Sequence, residues 1–315
     1  MALLCMSREQ RSVTTRGDET SALSQPAAAT ASGNAPCKIA RYGNTRVECG
    51  ILFAMANEHR KGPRELCTGG EWIYGRNPAV EVMRAGRRAV REVVLPPFDK
   101  NEADEIAWLR QAAHERHVVV RSEDRKRLDM LTRGGHHQGV ALKVDPYPYA
   151  DLGEILRAVE DDENAKVVIL DHLEDPQNVG SILRTACAVG VVGVIIPEDR
   201  GSGVTPAAVR ASAGASEHLK VARVVNLVRA MKQLKDAGMW LTGLDWGKDA
   251  KPYTEIDFKG RAGLVVGAEG TGISRLVRET CDFIAVLPMR GEIESLNAGV
   301  AAAICMYEMI KESKR

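Results

Sequence analysis

From residue 166 onward, near-continuous apolar runs alternate with helical patterns: VVILD, VGVIIP, LKVARV, MWLTGLD, AGLVVG and FIAVLP. Strands that are apolar on both faces belong to a parallel sheet covered on both sides, so 166–315 predicts an α/β domain. Its last segment, SLNAGVAAAICMYEMIKES, has small and apolar residues at helical spacing and ends in charge, which predicts a long closing helix. Residues 71–146 alternate at shorter spacing. NPAVEVMRAG, EADEIAWLRQAAHE and EDRKRLDML suit helices, whereas REVVLP, HVVVRS and QGVALKV suit strands. That predicts a second, small α/β domain, near the lower size at which a domain stands alone. Residues 147–165 read as a proline-bearing linker with a polar helix. Residues 1–70 are rich in Ser, Thr, Ala and Gly without a steady apolar period, so a disordered tail is expected there.

Composition adds limits. The chain of 315 residues has room for two domains and a tail. Its 43 basic and 42 acidic residues leave a net charge of +1, which argues against a histone-like binder but not against a local basic stripe. No apolar run approaches the ~20 residues of a membrane span. The 7 cysteines form no C-x-x-C pair. Cys187, Cys281 and Cys305 fall inside apolar periodic segments, which points to free thiols in a reducing, cytoplasmic compartment. His136 and His137 lack companions at metal spacing, so no metal site is expected. In the tail, Arg8, Arg11 and Arg16 stand among Ser and Thr like a targeting segment, but Glu9, Asp18 and Glu19 interrupt them. A start at Met55 explains the same zone equally well.

Chemistry concentrates in three turns. DPQNVGSILRTA (175–186) follows the apolar run VVILDHL. GLVVGAEGTGIS (263–274) and CDFIAVLPMRGEIESLNAGVAAAIC (281–305) each carry a strand into a Gly-, Ser- or Asn-rich turn and then a helix. Free backbone N–H groups at such places can hold polar ligand atoms, so the turns suggest a small-molecule pocket built largely of main chain. GAEGTGIS lacks the Lys-Ser/Thr ending of a Walker A loop, and its glycines do not follow G-x-G-x-x-G.

Together the three segments resemble the signature motifs of the SpoU/TrmH (SPOUT) class of RNA ribose 2′-O-methyltransferases. The resemblance implies a parallel sheet threaded into a deep trefoil knot, with S-adenosyl-L-methionine bent within it. Gly267, Leu287 and Leu296, with Met289 in the LPM segment, would then contact the cofactor; plain core packing is the alternative for the leucines. Asn178 and Arg184 would lie near the target ribose, although an N-cap and a solvated helix residue would explain them as well. An Arg is a poor base because its pKa exceeds ~12, so stabilisation of a developing alkoxide suits Arg184 better, with the base assignment open. Ser295 and Asn297 can cap the closing helix and reach the site, and Glu269 fits a role in holding loop shape or a dimer contact. The family usually shows Asn-Val-Ser-Val where this chain has Asn297-Ala298-Gly299-Val300, a departure that removes one hydroxyl.

IYGRNPAVEVM (73–83) and HHQGVALKV (136–144) resemble the two ends of the RNA-binding extension of the RlmB-type ribosomal RNA guanosine 2′-O-methyltransferases. Candidate RNA contacts are Arg76, Arg84, Arg87, Arg88, Arg125, Lys126 and Arg127, gripping phosphates beside an unpaired loop. The implied protein is a homodimeric RNA 2′-O-methyltransferase acting on a guanosine of large-subunit ribosomal RNA. The same chemistry on transfer RNA, or a non-catalytic RNA-binding or ribosome-assembly protein on the same fold, are the alternatives.

Overall fold

The structure, a computed structural model, describes residues 70–292 and 295–311. The tail expected over 1–70 lies, but for Gly70, outside the described residues. The small sheet comes first. It is assembled from β1 (Glu71–Tyr74), α1 (Arg76–Ala85), β2 (Val90–Leu95), α2 (Asp104–Glu115), β3 (Val119–Ser122), α3 (Arg125–Leu131) and β4 (Ala141–Val144). Strand order is β1-β4-β2-β3, with β4 antiparallel to both neighbours and β2 parallel to β3. The Asp124 carboxylate caps α3 by accepting the Arg127 N–H at 2.9 Å. Ile73, Met83, Leu95, Leu109 and Leu142 fill the core.

The chain then runs through α4 (Leu152–Asp161), whose first turn is closed by reciprocal bonds between Asp151 and Glu154. There follow β5 (Lys166–Asp171), α5 (Pro176–Val189), β6 (Gly193–Pro197), α6 (Pro206–Ala211), β7 (Val221–Val224), α7 (Leu227–Asp236), β8 (Trp240–Leu244), β9 (Lys251–Pro252), β10 (Ala262–Gly267), α8 (Arg275–Thr280), β11 (Phe283–Val286) and α9 (Ala298–Met309). Strand order is β7-β6-β5-β10-β8-β11-β9, and every pairing is parallel. All six residues of β5 and of β10 are buried. Alternate residues of these strands feed opposite faces. Val168, Leu170, Leu264 and Val266 join one core with α5 and α9, and Val167, Ile169 and Val265 join the other with α4 and α7. This is the covered parallel sheet that the apolar runs imply.

The ends of β5 and β10 meet in register, Gly267 opposite Asp171, so the turns that follow them emerge side by side at the C-terminal edge. Ligands in open α/β sheets bind at that edge. Helix α9 approaches α5 closely: a Cβ at Gly299 would collide with the Ser181 hydroxyl. Among the described residues, no helix is long and apolar enough to cross a membrane.

Candidate functional site

Asp171, fully buried at the end of β5, organises the edge. One carboxylate oxygen accepts the Ser274 N–H at 2.7 Å and the other pairs with His172 Nδ1. The turn after β10 is therefore tied at its far end to β5. At its near end Gly272 N–H donates to the Ala268 carbonyl at 2.9 Å. Gly270 and Gly272 take φ of 79° and 68°, a region that side-chain-bearing residues rarely occupy. A Cβ at Gly267 would run into the Gly272 carbonyl, so only glycine lets the turn fold back onto its own strand.

Three residues from the three motifs meet beside this turn. Asn178 Nδ2 donates to Glu269 Oε1 at 3.0 Å, Asn297 Nδ2 to the same oxygen at 2.9 Å, and the Ala298 N–H to it at 3.0 Å. Asn297 Nδ2 also donates to Asn178 Oδ1 at 2.7 Å. Asn297 Oδ1 caps α9 by accepting the Gly299 and Val300 N–H groups at 3.0 and 3.2 Å. One carboxylate oxygen thus collects three donors and locks the turns together. Among the described residues nothing donates to the other oxygen, Oε2.

The capping alternatives fall out differently from the sequence reading. Asp175 caps α5, with Pro176 as its first residue, and Asn178 sits buried as its third. Asn297, not Ser295, caps α9; Ser295 is exposed. Arg184 lies two turns along α5, exposed and without a hydrogen bond or ion pair to any described residue, the Asn178 cluster included.

Next to the cluster lies a cavity of about 570 Å³. Residues 266–270 form one wall, Leu287 and Met289 another, and Ser295 and Leu296 a third. Gly267, Leu287, Met289 and Leu296 therefore share one space. The remaining wall is Leu244, Asp245 and Trp246, which sequence reasoning passed over. The signal was there: LTGLDW carries an apolar strand straight into an acid and an indole.

The basic residues of the small sheet divide sharply. Arg88 is buried and its guanidinium grips both oxygens of the equally buried Glu217, with Nη1 on Glu71 at 3.0 Å. Arg87 donates to the carbonyls of Glu217, Leu219 and Pro148 and lies over the Tyr147 ring. These two side chains clamp the small sheet to the segment around 215–219, so the expectation that they contact RNA is corrected. Burial there raises the Glu71 carboxyl and pushes the Tyr147 hydroxyl up to about 12. Arg84 pairs with Glu81 and covers Trp108, and Arg76 bonds Gln138 through its backbone and side chain, joining the two ends of the small-domain motif. Arg125, Lys126 and Arg127 are exposed and have no ion pair among the described residues.

Residues 165–307 match the family model described as the SpoU rRNA Methylase family, and 72–150 match that for RNA 2′-O ribose methyltransferase substrate binding. The chain is 39% identical over 243 residues to YacO of Bacillus subtilis (strain 168), named for the TrmH family of tRNA/rRNA methyltransferases, covering 77% of this chain and 96% of that protein. It is 41% identical over 266 residues to an uncharacterized tRNA/rRNA methyltransferase of Mycolicibacterium gilvum, 84% of each chain. Its fold is similar to the crystal structure of the SpoU methyltransferase AviRb from Streptomyces viridochromogenes in complex with the cofactor AdoMet. There the TM-score is 0.62 at 25% identity, over 76% of this chain and 88% of that one. The parallel sheet is that of the SpoU methyltransferase fold, and the chain belongs to the SpoU/TrmH family of RNA methyltransferases.

Proposed function

We propose that this protein methylates the ribose 2′-oxygen of a guanosine in large-subunit ribosomal RNA, with S-adenosyl-L-methionine as cofactor. The observation that carries the reading is the joining of Asn178 and Asn297, from two separate motifs, on Glu269 of the third, which itself lines the cavity. At about 570 Å³ the cavity is of the size that takes a small ligand, roughly 300–1,000 Å³. Main chain at Gly267–Gly270 would bind the polar edge of an adenosine, and Leu287, Met289 and Leu296 would flank its base. When bound, the cofactor supplies a sulfonium-borne methyl group. Glu269 holds the cradle in shape through its three donors. Arg184, whose charge no described residue neutralises, would stabilise the ribose oxygen as its proton passes to water, and would grip a neighbouring phosphate.

The return of β10 between β5 and β8, after the chain has already built β8, supports the trefoil knot as the frame of this cradle. Helix α9 carries apolar residues on all sides and leaves Val300 and Tyr307 exposed, which supports a homodimer closed over it. Arg125–Arg127 on the small domain would bind RNA phosphates, and the presence of that domain favours ribosomal over transfer RNA.

The test is transfer of labelled methyl to ribosomal and to transfer RNA from cells lacking the protein, with nucleoside mass spectrometry. Labelled 2′-O-methylguanosine in large-subunit RNA is expected. Label in transfer RNA alone would move the substrate, and cofactor binding without transfer to either RNA would leave a non-catalytic binder.

A further inference from the structure

The segment after β8 runs Asp245-Trp246-Gly247-Lys248-Asp249 beside the cavity. Arg278 of α8 braces it at both ends, with Nη1 on Asp245 Oδ2 at 3.2 Å and Nη2 paired with Asp249. The Trp246 N–H donates to Asp245 Oδ1 at 2.9 Å. Asp245 is itself pressed on the turn after β10, where a Cβ at Gly272 would sit 2.7 Å from Oδ1. Gly247 has equally little room, since a Cβ there would lie 2.7 Å from Arg278 Nη2. The backbone is held, yet Trp246 leaves 79% of its surface in water. What sets this indole apart from other exposed apolar side chains is its place, on a braced loop at the edge of the cavity. Lys248, two residues on, is exposed and forms no ion pair among the described residues.

An aromatic face beside a free ammonium suits an unpaired nucleotide, because every base has a π-face to stack and every nucleotide a phosphate. We propose that Trp246 is the platform on which an unpaired base of the substrate RNA stacks at the mouth of the cavity, with Lys248 on an adjacent phosphate. The proposal rests on the RNA methyltransferase reading. It differs from that reading in assigning a base-recognition site to the catalytic domain itself, outside the small domain. RNA is favoured over the cofactor because Leu287 and Leu296 close the inner walls, whereas the indole stands mostly clear of them.

The test uses the full chain and its Trp246→Ala, Trp246→Phe and Lys248→Ala variants, with large-subunit ribosomal RNA transcript and S-adenosyl-L-methionine as separate probes. Trp246→Ala should weaken RNA binding by roughly 5- to 150-fold, the span of one lost base–aromatic stack. Trp246→Phe should stay within about threefold of wild type, since a phenyl ring still stacks. Lys248→Ala should flatten the salt dependence of RNA binding by about 0.7, the contribution of one phosphate on a single strand. Tryptophan emission should be quenched by RNA in the wild type and much less in Trp246→Phe. Circular dichroism checks that the variants fold. Unchanged RNA binding in Trp246→Ala overturns the proposal. So does a fall in cofactor affinity without one in RNA affinity, which would make the indole a cofactor lid. A fall in dimerisation alone overturns it too, making Trp246 a subunit contact. Failure of the wild type to bind the cofactor or transfer methyl would instead sink the underlying reading.

Discussion

Replacing Arg88 by Met should destabilise the fold without touching methyl transfer chemistry. Neither the Arg88 nor the Glu217 side chain has any exposed surface, and the guanidinium supplies donors to both oxygens of Glu217 and one to Glu71. Methionine fills much of the same volume but leaves the Glu217 carboxylate buried without its cation. One-sided loss of a buried pair costs about 3–5 kcal/mol. Arg87 lies close by, bonded to the Glu217 carbonyl, so the lower end, about 3 kcal/mol, is expected. At ~2–4 °C per kcal/mol for a chain of this size, Tm should fall by roughly 6–12 °C. Urea unfolding at pH 7 should give the same loss as a shift of midpoint at constant slope. Changing both partners, Arg88→Met with Glu217→Leu, should recover stability to within about 1 kcal/mol of wild type. A single variant within 1 kcal/mol of wild type, or a double variant as unstable as the single, would refute the argument.

Three further outcomes follow from other parts of the molecule. Arg184→Ala should cut single-turnover methylation by ~10²–10³ while cofactor affinity holds, and Arg184→Lys should recover only part of it; near wild-type turnover in the alanine variant would remove Arg184 from the chemistry. Changing Arg125, Lys126 and Arg127 together to Ala should weaken RNA binding and lower its salt slope by about 2, three phosphate contacts at ~0.7 each; an unchanged slope in filter binding would place the RNA elsewhere. Burial pushes the Cys281 and Cys305 thiols and the Tyr147 hydroxyl up to about 12, so the folded chain keeps protons that the unfolded chain releases at pH ~8.5–10. Stability should therefore fall as pH rises from about 9 towards 12, and urea midpoints that rise over that range would contradict the burial argument.

The strands of the large sheet were legible because burial on both faces leaves unbroken apolar runs, as in VVILD and AGLVVG. Two strands were not. EWIY spans four residues with one fully buried side chain, too few to establish a period, and Lys251–Pro252 is a two-residue pairing made only by the neighbour it finds. Strand order was beyond any local pattern. Nothing in AGLVVG says that β10 will pass over β8 and pair with β5, since that depends on which faces the intervening helices cover.

At the site, Asn178 and Glu269 lie 91 residues apart and Asn178 and Asn297 lie 119 apart, so only the motif resemblance could bring them to one place. The same separation explains the failure at Arg87 and Arg88. A run of arginines after a helix reads identically whether water, phosphate or a buried carboxylate is its counterion, and here the carboxylate is 129 residues away. Glu217 in turn looks like an ordinary surface acid within ASEHLK. What separates the cases is desolvation: a buried guanidinium must satisfy its donors inside the protein, as Arg88 does on two carboxylates, whereas a phosphate-binding one must keep them free. By that criterion Arg125, Lys126 and Arg127 stay in the RNA hypothesis and Arg88 leaves it. The criterion also draws in Lys248, which no motif had flagged.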